Sequence, residues 1–187
     1  PVYPRSAIKI LQALPLVESG AAVRFGLTNE ELALACASHD GEAEHVRTAA
    51  SMLSKTGLDD SALECGVHWP YNEAAKLKLA AAGAQPNALH NNCSGKHAGF
   101  VCLGCVMAGD GDRRGFLSGY VKPEHPLMRE VNAAVESTTG CKLESAPMGI
   151  DGCSAPNYAM PLANLARGYA RLASGAADGE FGASFAQ

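Results

Sequence analysis

The chain has 187 residues, 47% apolar and 18% charged, with a formal net charge of −4. That is enough chain for a real hydrophobic core and too apolar for a disordered one. Acidic and basic residues are interspersed with no basic stripe, which argues against nucleic acid. The longest apolar stretch, over 98–108, is about half the length of a membrane span, which argues against a membrane.

Most of the sequence reads as helix. Ile8, Leu11 and Leu14 share a face of a helix over 7–14 that stops at Pro15. Thr28-Asn29-Glu30-Glu31 is a capping-box pattern opening a helix over 32–37. A helix over 42–55 aligns Val46, Ala49, Ala50 and Leu53, with Gly57 as its stop. A short helical turn over 60–65 ends at Gly66, and a helix over 72–82 ends at Gly83. The stretch 98–108 is apolar on all sides, as expected of a helix inside the core. Gly109-Asp110-Gly111-Asp112 is a turn. An amphipathic helix follows over 126–139, carried by Leu127, Val131, Ala134 and Val135 and closed by Gly140, and a last helix spans 163–173. Strand signals are weak, with 142–147 and 148–152 the best places for short strands.

Two segments break these patterns. One is His90-Asn91-Asn92-Cys93-Ser94-Gly95-Lys96-His97; the other runs over 148–157 and holds Asp151, Cys153 and Ser154. Each is polar, contains glycine and leads into apolar sequence, a setting in which rigid elements hold functional loops. The start at Pro1 and the Gly/Ala-rich stretch 176–187 read as cut ends, so residues 1–187 are expected to be a single partial domain. Seven cysteines, an odd number, with no secretory signal predict reduced thiols and a cytoplasmic protein.

Ser6 and Lys9 lie three apart and share a helix face, so the lysine can reach the serine hydroxyl. A hydroxyl becomes a nucleophile when a base removes its proton, and lysine can be that base if burial or nearby cations hold it neutral. The same pattern also fits a capping serine beside an exposed lysine. Ser38-His39-Asp40 is not a triad, because triad partners converge in space rather than along the chain; the residues favour Ser38 as a cap for the helix over 42–55. Cys93, Lys96 and Cys153 would supply two thiolates and a nitrogen to an open tetrahedral zinc site, with Asp151 as an outer partner. Cys102 and Cys105 form a Cys-x-x-Cys, but their surroundings are uniformly apolar and favour core packing, as for Cys36, Cys65 and Cys141. Ser94-Gly95-Lys96 fails as a phosphate loop, since His90 replaces the first glycine and His97 follows the lysine. Of the six histidines only His97 lies inside a candidate site.

Together, Pro4-Arg5-Ser6-Ala7-Ile8-Lys9, Ala37-Ser38-His39-Asp40-Gly41-Glu42, the run from His90 to Gly99 and that from Met148 to Pro161 resemble the asparaginase II family, the rhizobial type of L-asparaginase. The resemblance runs across nearly the whole chain, and Asn-Asn-Cys-Ser-Gly-Lys-His is its most specific string. It implies an α/β serine β-lactamase-like fold, of which this chain is the central part and mostly helical. It implies deamidation of L-asparagine, with Ser6 and Lys9 as one serine–lysine pair and Ser38 as the serine of a second, whose lysine lies beyond the chain. It further implies zinc held by Cys93, Lys96 and Cys153, with Arg5, His97 and Asp151 around the metal or substrate, and a homodimer. The rival readings are a glutaminase or other serine acyl-transferase of that fold, and a non-catalytic zinc-stabilised binding protein.

Overall fold

The computed structural model describes residues 1–175; the Gly/Ala-rich stretch 176–187 lies outside the described residues. The described chain is mostly helical, with one two-stranded antiparallel sheet. A 3-10 turn over Arg5–Ile8 runs into α1 (Lys9–Gln12), followed by α2 (Leu14–Glu18), α3 (Ala21–Arg24) and α4 (Asn29–Ala35). The expected helix over 7–14 does not stop at Pro15. The chain bends at Ala13, and Pro15 occupies the first turn of α2, where its missing N–H costs nothing. The capping box forms as expected: Thr28 accepts the Glu31 amide while the Glu31 side chain accepts the Thr28 amide.

Next come α5 (Ala43–Thr56), α6 (Glu73–Ala81), α7 (Ser94–Met107), α8 (Arg113–Leu117), α9 (Pro126–Thr139) and α10 (Leu162–Ser174). Gly57 and Gly140 end α5 and α9 in the left-handed conformation, as their positions predict. The centre of the fold is α7, with every residue from Ser94 to Cys105 buried and α2, α4, α5, α8 and α9 packed around it. A Cβ at Gly95 would meet Leu34 at 2.5 Å, so only glycine lets α4 approach this closely. The helix starts four residues before the expected 98–108 stretch, so the polar run 94–97 is its first turn rather than a loop. A second apolar cluster, including Ile8, Leu11, Leu14, Val135 and Leu165, seats the first helices against α9 and α10.

The sheet pairs β1 (Met148–Ile150) with β2 (Pro156–Tyr158), Gly149 opposite Asn157. The expected strand over 142–147 is a turn. β2 escaped the sequence reading because a three-residue strand has no measurable alternation and forms only through its partner. Among the described residues no helix is long and apolar enough to cross a membrane.

Candidate active site

Three distant pieces of chain meet beside the start of α7: the Ser6 turn with α1, the loop between α4 and α5, and the β1–β2 turn. Arg5 enters the first of these with φ +50, a left-handed conformation uncommon for a residue with a side chain. Its amide donates to Asn157 Oδ1 at 3.4 Å, which ties the turn to β2.

Lys9 is almost wholly buried although lysine is normally exposed. Its Nζ donates to Ser38 Oγ at 2.9 Å and to the Ala37 carbonyl at 2.8 Å. Ser38 Oγ in turn donates to Ser6 Oγ at 2.7 Å. Lys9 therefore reaches Ser6 through Ser38, not directly as the three-residue spacing suggests. Ser38 does not cap the next helix: α5 begins after Glu42 with no side-chain cap. Both serines are exposed, so both oxygens face solvent and any incoming substrate. Burial pulls the Lys9 ammonium pKa down and Lys96 adds to this, while hydrogen bonding and charge at Cys93 and charge at Cys153 oppose it. Lys9 thus adjoins the sulfur cluster as well as the hydroxyls.

Below the serines lie Cys93, Lys96 and Cys153, all buried. Lys96 Nζ donates to Cys153 Sγ at 3.2 Å and stands 5.6 Å from the Phe100 ring centroid. The two thiols influence each other, and the proton stays with Cys93 in preference to Cys153. The bond from Cys93, with His97 and Lys96 nearby, holds Cys153 well below the usual thiol range; the same bond and burial push Cys93 up. His97 is fully buried and pushed down to about 4, chiefly by burial. Its Nδ1 lies 2.7 Å from Tyr120 Oη, which accepts the Glu64 amide at 3.0 Å. The phenol's own proton therefore goes to His97 Nδ1. No hydrogen bond of normal geometry reaches His97 Nε2, although the Cys153 sulfur is near enough to act on the ring's charge.

The donors suit a thiophilic divalent cation: two sulfurs, one held well below the usual thiol range, and an adjacent amine. Among the described residues no group of three or more His, Cys, Asp or Glu side chains is arranged to hold a metal. A metal at Cys93 and Cys153 would therefore need the Lys96 amine as its nitrogen ligand. At the mouth, Arg5 Nε lies 3.7 Å from Asp151 Oδ1, which also accepts from Asn157 Nδ2 at 3.3 Å. Cys65, Cys102 and Cys105 are buried and unbridged, as expected of core thiols; Cys36 and Cys141 are free and half-buried.

Each residue singled out from the sequence is thus near this junction. The sequence reading missed Asn157, Tyr120 and His39. Asn157 lies within a recognised segment and was given no role, Tyr120 has no local signal, and His39 was placed outside the candidate site. A wide groove of ≈ 630 Å³ between α5 and α6, lined in part by Val46, Leu79 and Lys78, contains none of the predicted site residues.

No curated protein matches the chain. The family model for L-asparaginase II matches residues 1–186, so the chain belongs to the L-asparaginase II family, a family of hydrolases.

Proposed function

We propose that this L-asparaginase II family member hydrolyses the side-chain amide of L-asparagine to L-aspartate and ammonia, with Ser6 as nucleophile and Lys9 as base acting through Ser38. The observation that carries this reading is the unbroken chain Lys9–Ser38–Ser6, with a buried amine at one end and an exposed hydroxyl at the other. In the resting arrangement the hydrogens point from Lys9 toward Ser6. With Lys9 neutral the chain reverses: Ser6 gives its proton to Ser38 as Ser38 gives its own to Lys9. The freed Ser6 Oγ attacks the amide carbon. As the tetrahedral intermediate collapses, the proton returns along the chain to the leaving nitrogen, ammonia departs and an ester to Ser6 remains. Water, giving its proton to the same chain, then splits the ester and releases aspartate. At the mouth, the exposed Arg5 guanidinium suits the α-carboxylate of an amino-acid substrate and Asp151 suits its α-ammonium.

We assign Cys93, Lys96 and Cys153 as the residues that would hold zinc, with His97 and Asp151 beside them. Such an ion, when bound, supplies positive charge that favours a neutral Lys9 and orders the polar groups of the substrate. We further place the protein in the cytoplasm as a homodimer, with residues 1–187 forming part of one catalytic domain of serine β-lactamase-like α/β fold.

A second reading has its own support. Ser38, not Ser6, receives the direct Lys9 bond, so Ser38 could attack with Ser6 as its partner. Trapping the acyl-enzyme with a slow amide analogue of asparagine and mapping the adduct by mass spectrometry decides between them. An adduct on Ser6 is expected, and one on Ser38 reverses the two roles. A parallel assay on glutamine sets the amide preference, and no ammonia from either amide would sink the proposal.

A further inference from the structure

We propose that His39 is a positioning residue for the serine–lysine chain: its imidazole, held as the Nε2–H tautomer, fastens the Ser38 loop to the segment that opens α7. This rests on the reading that Ser6, Ser38 and Lys9 carry the hydrolysis.

His39 follows Ser38 directly, yet its side chain turns the other way. Ser38 is exposed and His39 is buried. The His39 amide donates to the Asn92 carbonyl at 3.1 Å. Its ring Nδ1 accepts the Gly41 amide at 3.1 Å, and its Nε2 lies 2.8 Å from Ser94 Oγ. Ser94 spends its own proton on the Leu89 carbonyl, at 2.9 Å. These directions fix the ring chemistry. A backbone N–H can only donate, so Nδ1 carries a lone pair and the neutral ring has its proton on Nε2. Ser94 Oγ, its hydrogen already used, has a lone pair ready for that proton.

The loop is equally constrained beyond the ring. Gly41 takes φ +78, and a Cβ there would meet Pro70 at 3.0 Å and the His90 carbonyl at 3.1 Å. The Asp40 carbonyl accepts the Asn72 amide at 3.0 Å. The His39 ring stacks on His45, centroids 5.0 Å apart. The loop is therefore tied through His39 to Asn92 and Ser94, which flank Cys93 and lead into Lys96. Ser38 Oγ sits at the end of this tie, where it must meet Lys9 and Ser6 together. With both ring nitrogens engaged inside the protein, His39 cannot touch substrate and can act only by holding Ser38 in place.

The test compares His39→Leu, His39→Gln and Ser6→Ala in the full chain, assayed on asparagine. A hydroxyl displaced by about 1 Å loses on the order of 100-fold in rate. His39→Leu should therefore lose about that factor in kcat, with KM close to wild type. His39→Gln keeps an N–H for Ser94 and should recover about tenfold of the loss. A folded His39→Leu with wild-type kcat would overturn the inference, as would a loss shared equally between kcat and the folded fraction. Nitrogen-15 NMR of the wild-type ring tests the same point without a variant: the Nε2–H tautomer is expected, and the Nδ1–H tautomer overturns it. Full turnover by Ser6→Ala would instead remove the serine–lysine reading itself, a result distinct from either outcome at His39.

Discussion

The candidate site has two halves with opposite relations to water. Ser6 and Ser38 are exposed, while Cys93, Lys96, His97 and Cys153 are buried beneath them. Lys9 bridges the halves, its amine on Ser38 and its charge sensing the sulfurs. The contrast separates two tasks. An oxygen that must reach substrate belongs in the open, where no protein group covers it. An amine that must accept a proton near neutral pH belongs out of water, where its charged form is penalised. If that division holds, variants in the upper half should remove turnover and spare the fold, and variants in the lower half should remove ligand binding and the stability that comes with it.

The sharpest test is Ser6→Ala. It deletes an exposed hydroxyl, so thermal stability should stay at wild type while turnover falls ~10⁴-fold or more, since the members of a nucleophile–base unit act together. Residual turnover above a tenth of wild type would break the upper half of the comparison. Lys9→Met comes next. Loss of a general base costs about 10²- to 10⁴-fold in kcat, and exchanging a desolvated amine for a thioether of similar length should leave the melting temperature unchanged or raise it. A Lys9→Met protein that fails to fold would make the lysine a structural strut and erase the boundary between the halves.

Zinc binding probes the lower half. A ligand at a hundred times its Kd adds about 2.7 kcal/mol to folding stability. Wild-type protein titrated with zinc should show a rise of that order in thermal or denaturant unfolding, reversed by a chelator, and Cys153→Ser should show none. An equal rise in both proteins would place the metal elsewhere.

What the sequence could and could not convey follows the same line between local and distant chemistry. The Thr28–Glu31 box and the Gly57 and Gly140 stops depend on neighbours within one turn, and all three formed as expected. The three-residue spacing of Ser6 and Lys9 promised a direct contact, but the lysine's partner came from 29 residues away. No periodicity announces such a contact. His97 stands in a motif the sequence displays, whereas the Tyr120 hydroxyl that bonds its Nδ1 lies 23 residues on, in a stretch without any motif. The run 94–97 looked like a loop because it is polar, and it forms a buried helical turn in which Ser94 bonds His39 and the Leu89 carbonyl, Lys96 the Cys153 sulfur and His97 Nδ1 the Tyr120 hydroxyl. Polarity marks a loop only while water is the assumed partner.

The most gradual effect concerns pH and reaches both halves through His39. Burial, then the charges of His45, Lys9, His68 and His90, press its pKa from 6.5 to about 4. The folded ring therefore resists a proton that the unfolded chain accepts. Stability from this group is complete above pH 6.5 and drains away as the pH falls from 6.5 toward 4, by up to about 1.4 kcal/mol per pH unit. His97, also pushed down to about 4, drains in the same window and would mask the effect in the wild type alone. Comparing wild type with His39→Gln removes the masking, because His97 is common to both. The variant's unfolding free energy should fall less steeply over that range. Parallel slopes would mean that the His39 ring takes up its proton without leaving its bonds, and the tie between the Ser38 loop and α7 would then not depend on a neutral imidazole.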